Sequence, residues 1–169
     1  MKKLWNMAEL PYIIAVAALG SLNHFIYEWS GENAFAALFC PVSESVWEHL
    51  KLLFFPYLFA VVWIYFYERR SAPARYFCSR FLAVLIGMAF IVISFYTYTG
   101  IIGQSFVVID ILIFFAAVLA AFRAAPVLYR CPVCKKATSL IFAGWIFAAV
   151  CFFFFTCQPP NLPLFFSPS

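Results

Sequence analysis

The chain has 169 residues, of which 66% are apolar, 22% aromatic and only 11% charged, with a formal net charge of +4. Soluble domains are about 45–50% apolar, so this composition excludes a soluble globular protein. The basic residues are divided among short segments, and the positive balance is not that of a nucleic-acid surface.

Apolar runs recur along the whole length, each close to the roughly 20 residues that cross a bilayer as a helix. Five spans are predicted, at 10–28, 46–67, 77–98, 105–123 and 139–157. Short alternating strands at regular spacing are missing, which argues against a β-barrel. The expectation is all-α: an integral membrane bundle of five transmembrane helices in one domain over 1–169. An outer loop at 29–45 and an uncharged, proline-rich outer tail at 158–169 complete it. Lys2 and Lys3 precede the first span, Arg69, Arg70, Arg75 and Arg80 lie around the second connection, and Arg123, Arg130, Lys135 and Lys136 around the fourth. The positive-inside rule places all of these in the cytoplasm. It follows that the N-terminus is inside, the C-terminus outside, and the protein multi-pass in the plasma membrane. The "MKK" opening mimics a signal peptide, but Glu9 and the four later spans predict a retained first helix.

At the outer end of the first helix, His24 and Glu28 are four apart, as are Asn23 and Tyr27, so the four form one polar patch. The loop that follows, "WSGENAFAALFCPVS", is polar at its start and apolar in its middle, and is expected to lie along the outer surface or dip into it. It leads to "CPVSESVWEHLKLLFFP" (40–56), the mouth of the second helix. Glu44 and Glu48 are four apart there, and Lys51 follows Glu48 by three. Lys51 breaks the positive-inside pattern and should find a carboxylate or snorkel. Ser45 to Glu48 fits a capping box, while Trp29 and Trp47 fit an interfacial aromatic belt. Those roles leave His24, Glu28 and His49 unexplained. Imidazoles and carboxylates suit zinc or another divalent first-row ion, with His24, Glu28, Glu44, Glu48 and His49 as candidate ligands. No zincin signature is present, since "WEH" lacks the second histidine. Pro56, inside the second span, is expected to kink it.

Asp110 in "VVIDILIFFAA" lies several residues inside the fourth helix, where a carboxylate requires a partner or a wet cavity. Lys51, His49 and His24 are its expected partners, and a protonated form bonded to Tyr96 or Tyr98 is the structural alternative. "CPVCKK" places Cys131 and Cys134 in a cytoplasmic loop as a candidate thiol pair. With only Cys78 on the same side, a four-thiolate zinc site is short of ligands, and reduced thiols are expected. Cys40 and Cys157 map near the outer face and could bridge in an oxidising compartment. The tail "CQPPNLPLFFSPS" either folds over the outer surface through Leu162, Leu164 and Phe165 or stays disordered.

"LNHFIYEWSG" (22–31), "PVSESVWEHLKLLFFP" (41–56), "FYTYTGIIG" (95–103), "VVIDILIFF" (107–115) and "PPNLPLFF" (159–166) together resemble a family of small bacterial polytopic membrane proteins of unknown function. The likeness spans nearly the whole chain and rests most on HFxYEWSG, ESVWEHLKL and PPxLPLF. It implies a five-helix bacterial membrane protein whose distinctive residues are those of the outer cluster and Asp110, and it brings no activity. The family pattern carries asparagine where this chain has Ser43, and an acidic, glycine-containing end where this chain reads "FFSPS".

Three functions remain open. The preferred one is a polar pocket of Asn23, His24, Tyr27, Glu28, the two glutamates, His49, Lys51 and Asp110 that binds or passes a small polar solute, ion or proton. The second is a membrane-embedded, metal-dependent hydrolase-like enzyme. The third is a structural network or homo-oligomer contact. Expected partners are the lipid bilayer and a second copy of the chain, with no nucleic acid; any cofactor would be a divalent metal such as zinc. Five helices supply no even-numbered repeat, which weakens a secondary-transporter architecture.

Overall fold

The computed structural model describes residues 9–167. Lys2, Lys3 and the last two positions of the tail lie outside the described residues. The helices are α1 (Leu10–Trp29), α2 (Ala34–Phe39), α3 (Val46–Tyr67), α4 (Pro73–Ile102), α5 (Val107–Arg130), α6 (Pro132–Lys135) and α7 (Leu140–Cys157), followed by one 3-10 turn at Pro163–Phe165. No strand occurs among the described residues. Five helices, α1, α3, α4, α5 and α7, are long and apolar enough to cross a membrane. At a rise of 1.5 Å per residue they reach about 27–45 Å, against roughly 30 Å of hydrocarbon. The chain is an all-helical, multi-pass membrane protein.

Helix ends differ from the expected spans where charge and helix part company. α4 runs from Pro73 to Ile102 rather than 77–98, because proline at its first turn starts it and Gly103, at φ +85°, ends it in the left-handed region. α5 continues to Arg130 rather than 123, carrying Arg123 and Pro126 within the helix. The apolar middle of the outer loop is itself helical, as α2, started by the Asn33 side chain accepting from the Phe35 amide at 2.8 Å.

α3 is the central element. More than half of it is buried, against about a tenth of α1 and α7, and every residue from Leu50 to Tyr57 is buried. Outward positions such as Trp63, Phe66, Ile93 and Phe147 are apolar and exposed, as a helix surface in contact with acyl chains must be. Pro56 cannot donate to the carbonyl four residues back, so the Leu52 oxygen is free of a helical bond. That oxygen faces Gly20 of α1, where a β-carbon would meet it at 2.5 Å. Gly87 does the same for the α4–α5 pair, lying against the Ala117 carbonyl and Ala121.

Trp47 does not sit in an interfacial belt. It packs against Phe152, Phe155 and Phe165, the last from the tail turn, with its indole N–H buried and without a partner. The tail therefore folds back onto α3 and α7 through Phe165. Trp29, by contrast, is 70% exposed.

Candidate functional site

The polar residues at the start of α3 divide into two sets. One is a closed, buried network. Lys51 donates to Glu48 Oε2 at 2.7 Å and to the Ala37 and Cys40 carbonyls at 2.9 and 3.3 Å, which occupies all three ammonium protons. Glu48 also accepts from the Val42 amide at 3.0 Å and from the Thr156 hydroxyl at 2.9 Å. The side chains are 0% and 4% exposed. This network ties α3 to α2, to the segment before it and to α7. Only half of the expected capping box forms: Ser45 Oγ accepts from the Glu48 amide, while the Glu48 carboxylate turns to Val42. Asn23 joins the same seam, donating to the Phe39 carbonyl at 2.9 Å and accepting from the Cys40 thiol. Burial pushes the Cys40 thiol up from its ordinary range, and the Lys51 charge pulls the other way.

The other set is open to solvent. Glu44 Oε2 lies 3.4 Å from His49 Nε2, and Glu44 Oε1 lies 3.7 Å from His24 Nε2. The two imidazole centroids are 5.3 Å apart, and the three ligand atoms all lie within 4.8 Å of one another. His49 Nδ1 is 2.9 Å from the Ser45 carbonyl. A carbonyl only accepts, so Nδ1 carries the proton and Nε2 presents a lone pair when the ring is neutral. That lone pair faces a carboxylate oxygen. Two acceptors at this distance attract only with a proton or a cation between them. Zinc holds nitrogen and oxygen ligands at about 2.0–2.2 Å, so small side-chain rotations bring all three onto one ion. The backbone carbonyl behind His49 is the outer-shell partner that orients metal-bound histidines.

Two clefts adjoin this cluster. One of about 280 Å³ runs between α3, α4 and α5 past His49, Ile91, Phe95 and Asp110. The other, about 440 Å³, lies on the α1 side and includes His24, Phe25, Phe114 and again Asp110. Glu44, His49, Leu52 and Asp110 line both. Asp110 occupies the first turn of α5, where the helix dipole favours a negative charge. Its partner is none of the three cations expected: Tyr98 donates to Asp110 Oδ1 at 2.5 Å and accepts from the Phe106 amide at 3.1 Å.

Five ligands were expected for a metal, and three come together. Glu48 is consumed by Lys51, and Glu28 is exposed and outside the cluster. Asn23, Tyr27 and Lys51 line neither cleft. The thiol pair also differs, because Cys134 Sγ sits 3.0 Å from Cys78 Sγ, across from α4, while Cys131 is half-buried. Burial and the adjacent Cys78 push the Cys134 thiol up to about 12. Cys40 and Cys157 are both free thiols. The sequence reading missed Thr156, whose only signal was a lone hydroxyl in "FFFFTC", and the Ser45 carbonyl, which leaves no side-chain signal.

The profile of the family of unknown function DUF6512 matches residues 1–168, and the chain belongs to that family. No curated protein and no solved structure matches it.

Proposed function

We propose, with that family membership as premise, that the protein sits in the plasma membrane of a bacterium and binds or passes a small cation at the outer end of its helices. His24, Glu44 and His49 hold the cation, a divalent first-row metal ion or a proton, and Asp110 faces the same clefts. The orientation, N-terminus inside and C-terminus outside, is supported by charge: every described arginine lies at or near the end of a helix remote from this cluster, as the positive-inside rule requires of a cytoplasmic face. The observation that carries the reading is the His49 ring, locked by Ser45 so that its Nε2 lone pair meets the Glu44 carboxylate.

Elemental mass spectrometry on detergent-purified protein tests it, with His24→Ala, His49→Ala and Glu44→Gln beside the wild type. About one ion per chain, lost in all three variants, is expected for a metal site. No metal in the wild type, no thermal response to added zinc and no proton-coupled flux in proteoliposomes would remove the cation reading altogether.

A second reading is a metal-dependent hydrolase. Three protein ligands leave a coordination position for water, and Asp110 shares a largely apolar cleft suited to a lipid-like substrate. Turnover that disappears in both His49→Ala and Asp110→Asn would favour it over simple binding. The bilayer is the constant partner in either case. A homo-oligomer becomes the better explanation if substitutions in the cluster change only assembly.

A further inference from the structure

The opposite end of the helices holds a separate polar cavity, built on different chemistry. It measures about 280 Å³ and is lined by Glu9, Arg70, Ser71, Ser79, Arg80 and Arg130. Three guanidinium groups therefore share one small space with a single carboxylate on its wall.

Arg80 decides what the space is for. Its side chain is only 5% exposed, and its Nη2 donates to Glu9 Oε1 at 2.8 Å. Its Nη1 is buried and has no hydrogen-bond partner, as is the Tyr57 hydroxyl. Buried arginine donors are rarely left without an acceptor, since an unsatisfied charged donor is costly. The aromatic faces of Tyr76 and Phe122 hold the guanidinium from the sides, at 5.5 and 5.7 Å, so an added acceptor must come from elsewhere. Arg70 is largely compensated by its neighbour Glu68. Arg130, at the exposed end of α5, brings positive charge to the rim. The cavity thus offers an unfilled donor below, positive charge above and serine hydroxyls beside it.

We infer that this cavity binds a phosphate group, carried either by a lipid headgroup or by a small soluble phosphate. Phosphate matches the arrangement because it has several acceptor oxygens for the planar arginine fork and enough charge to offset the excess cation. The volume is at or below the lower bound for organic-ligand pockets and suits a headgroup-sized anion with water rather than a larger molecule. The site is independent of the His24, Glu44 and His49 cluster and shares no residue with it.

The test uses full-length protein in an uncharged detergent. Inorganic phosphate and, separately, dihexanoyl phosphatidate are titrated at constant ionic strength, with thermal midpoint and native mass-spectrometric occupancy as readouts. Saturable stabilisation by at least one probe is expected, weakened about tenfold or more in Arg80→Lys, which keeps the charge but loses the fork, and in Arg130→Gln. A response to inorganic phosphate alone identifies a soluble ligand; a response only to phosphatidate identifies a lipid headgroup. Absence of saturable binding by either probe overturns the inference. So does binding whose affinity is unchanged in Arg130→Gln, an exposed position that leaves the buried core intact even where Arg80→Lys fails to fold.

Discussion

Replacing Lys51 with methionine isolates the buried ion pair of α3. Methionine retains most of the apolar stem and removes the ammonium, which is 0% exposed and donates to Glu48, Ala37 and Cys40. The Glu48 carboxylate would then be buried with only the Val42 amide and the Thr156 hydroxyl as donors, and two carbonyls would lose theirs. Breaking one side of a buried pair costs about 3–5 kcal/mol. At about 2–4 °C per kcal/mol for a chain of this size, the melting temperature should fall by about 6–20 °C. The double variant Lys51→Met/Glu48→Gln removes both charges and keeps an acceptor for Thr156, so it should regain about half of that loss. Circular dichroism melts in maltoside micelles measure both. A Lys51→Met protein within about 2 °C of wild type, or a double variant no better than the single, would refute the claim that this pair joins α2, α3 and α7.

Gly20→Ala places a β-carbon 2.5 Å from the Leu52 backbone oxygen. It should cost about 1–3 kcal/mol, whereas Gly100→Ala, with nothing within 4 Å, should be neutral or gain up to about 1 kcal/mol; equal melting of the two would contradict the close α1–α3 contact. Tyr98→Phe strips Asp110 and the Phe106 amide of their shared hydroxyl and is expected to cost about 1–3 kcal/mol, with an unchanged melt as the opposing result. Cys134, buried and held up to about 12, should resist iodoacetamide at mildly alkaline pH while exposed Cys157 reacts; peptide mapping that finds Cys134 modified in folded protein counts against its burial beside Cys78. The sign of the linkage follows from the same shift. The folded thiol keeps its proton to higher pH than the unfolded one, so its contribution is complete below 9.0 and is lost as pH rises toward 12.

The number and type of the helices were legible because an apolar run of bilayer length has few other solutions. Their ends were less so: hydropathy reports where charge begins, while Pro73, Gly103 and the tolerance of α5 for Arg123 and Pro126 decide where the helix stops. The short helix α2 gave no periodic signal over six apolar residues. Arg80 read as one more cytoplasmic cation, although it is nearly buried against Glu9. For a charge near a helix end, composition gives the side of the membrane, and only the neighbouring helices determine whether it faces water or protein.

The same reasoning explains why so apolar a chain concentrates Glu44, Glu48, His49 and Lys51 in eight residues. An α-helix turns about 100° per residue, so positions 48 and 51 share one stripe of α3, and 45, 49 and 52 share another. The stripe of 48 and 51 faces α2 and α7, where Glu48 and Lys51 satisfy each other, two carbonyls, an amide and the Thr156 hydroxyl. The stripe of 45, 49 and 52 faces α1 and α5. There Ser45 fixes the His49 ring, Leu52 lines the clefts, and Glu44 reaches across from the loop to both imidazoles. Burial fills every bond of the Glu48–Lys51 set and leaves it chemically silent. In the His49 set an imidazole lone pair meets a carboxylate with water access, an arrangement that attracts only when a proton or metal ion joins it. Structural and functional readings of this segment are therefore both correct, on different faces of the same helix turn, and Glu48→Gln and His49→Ala should separate them: the former in stability, the latter in cation binding.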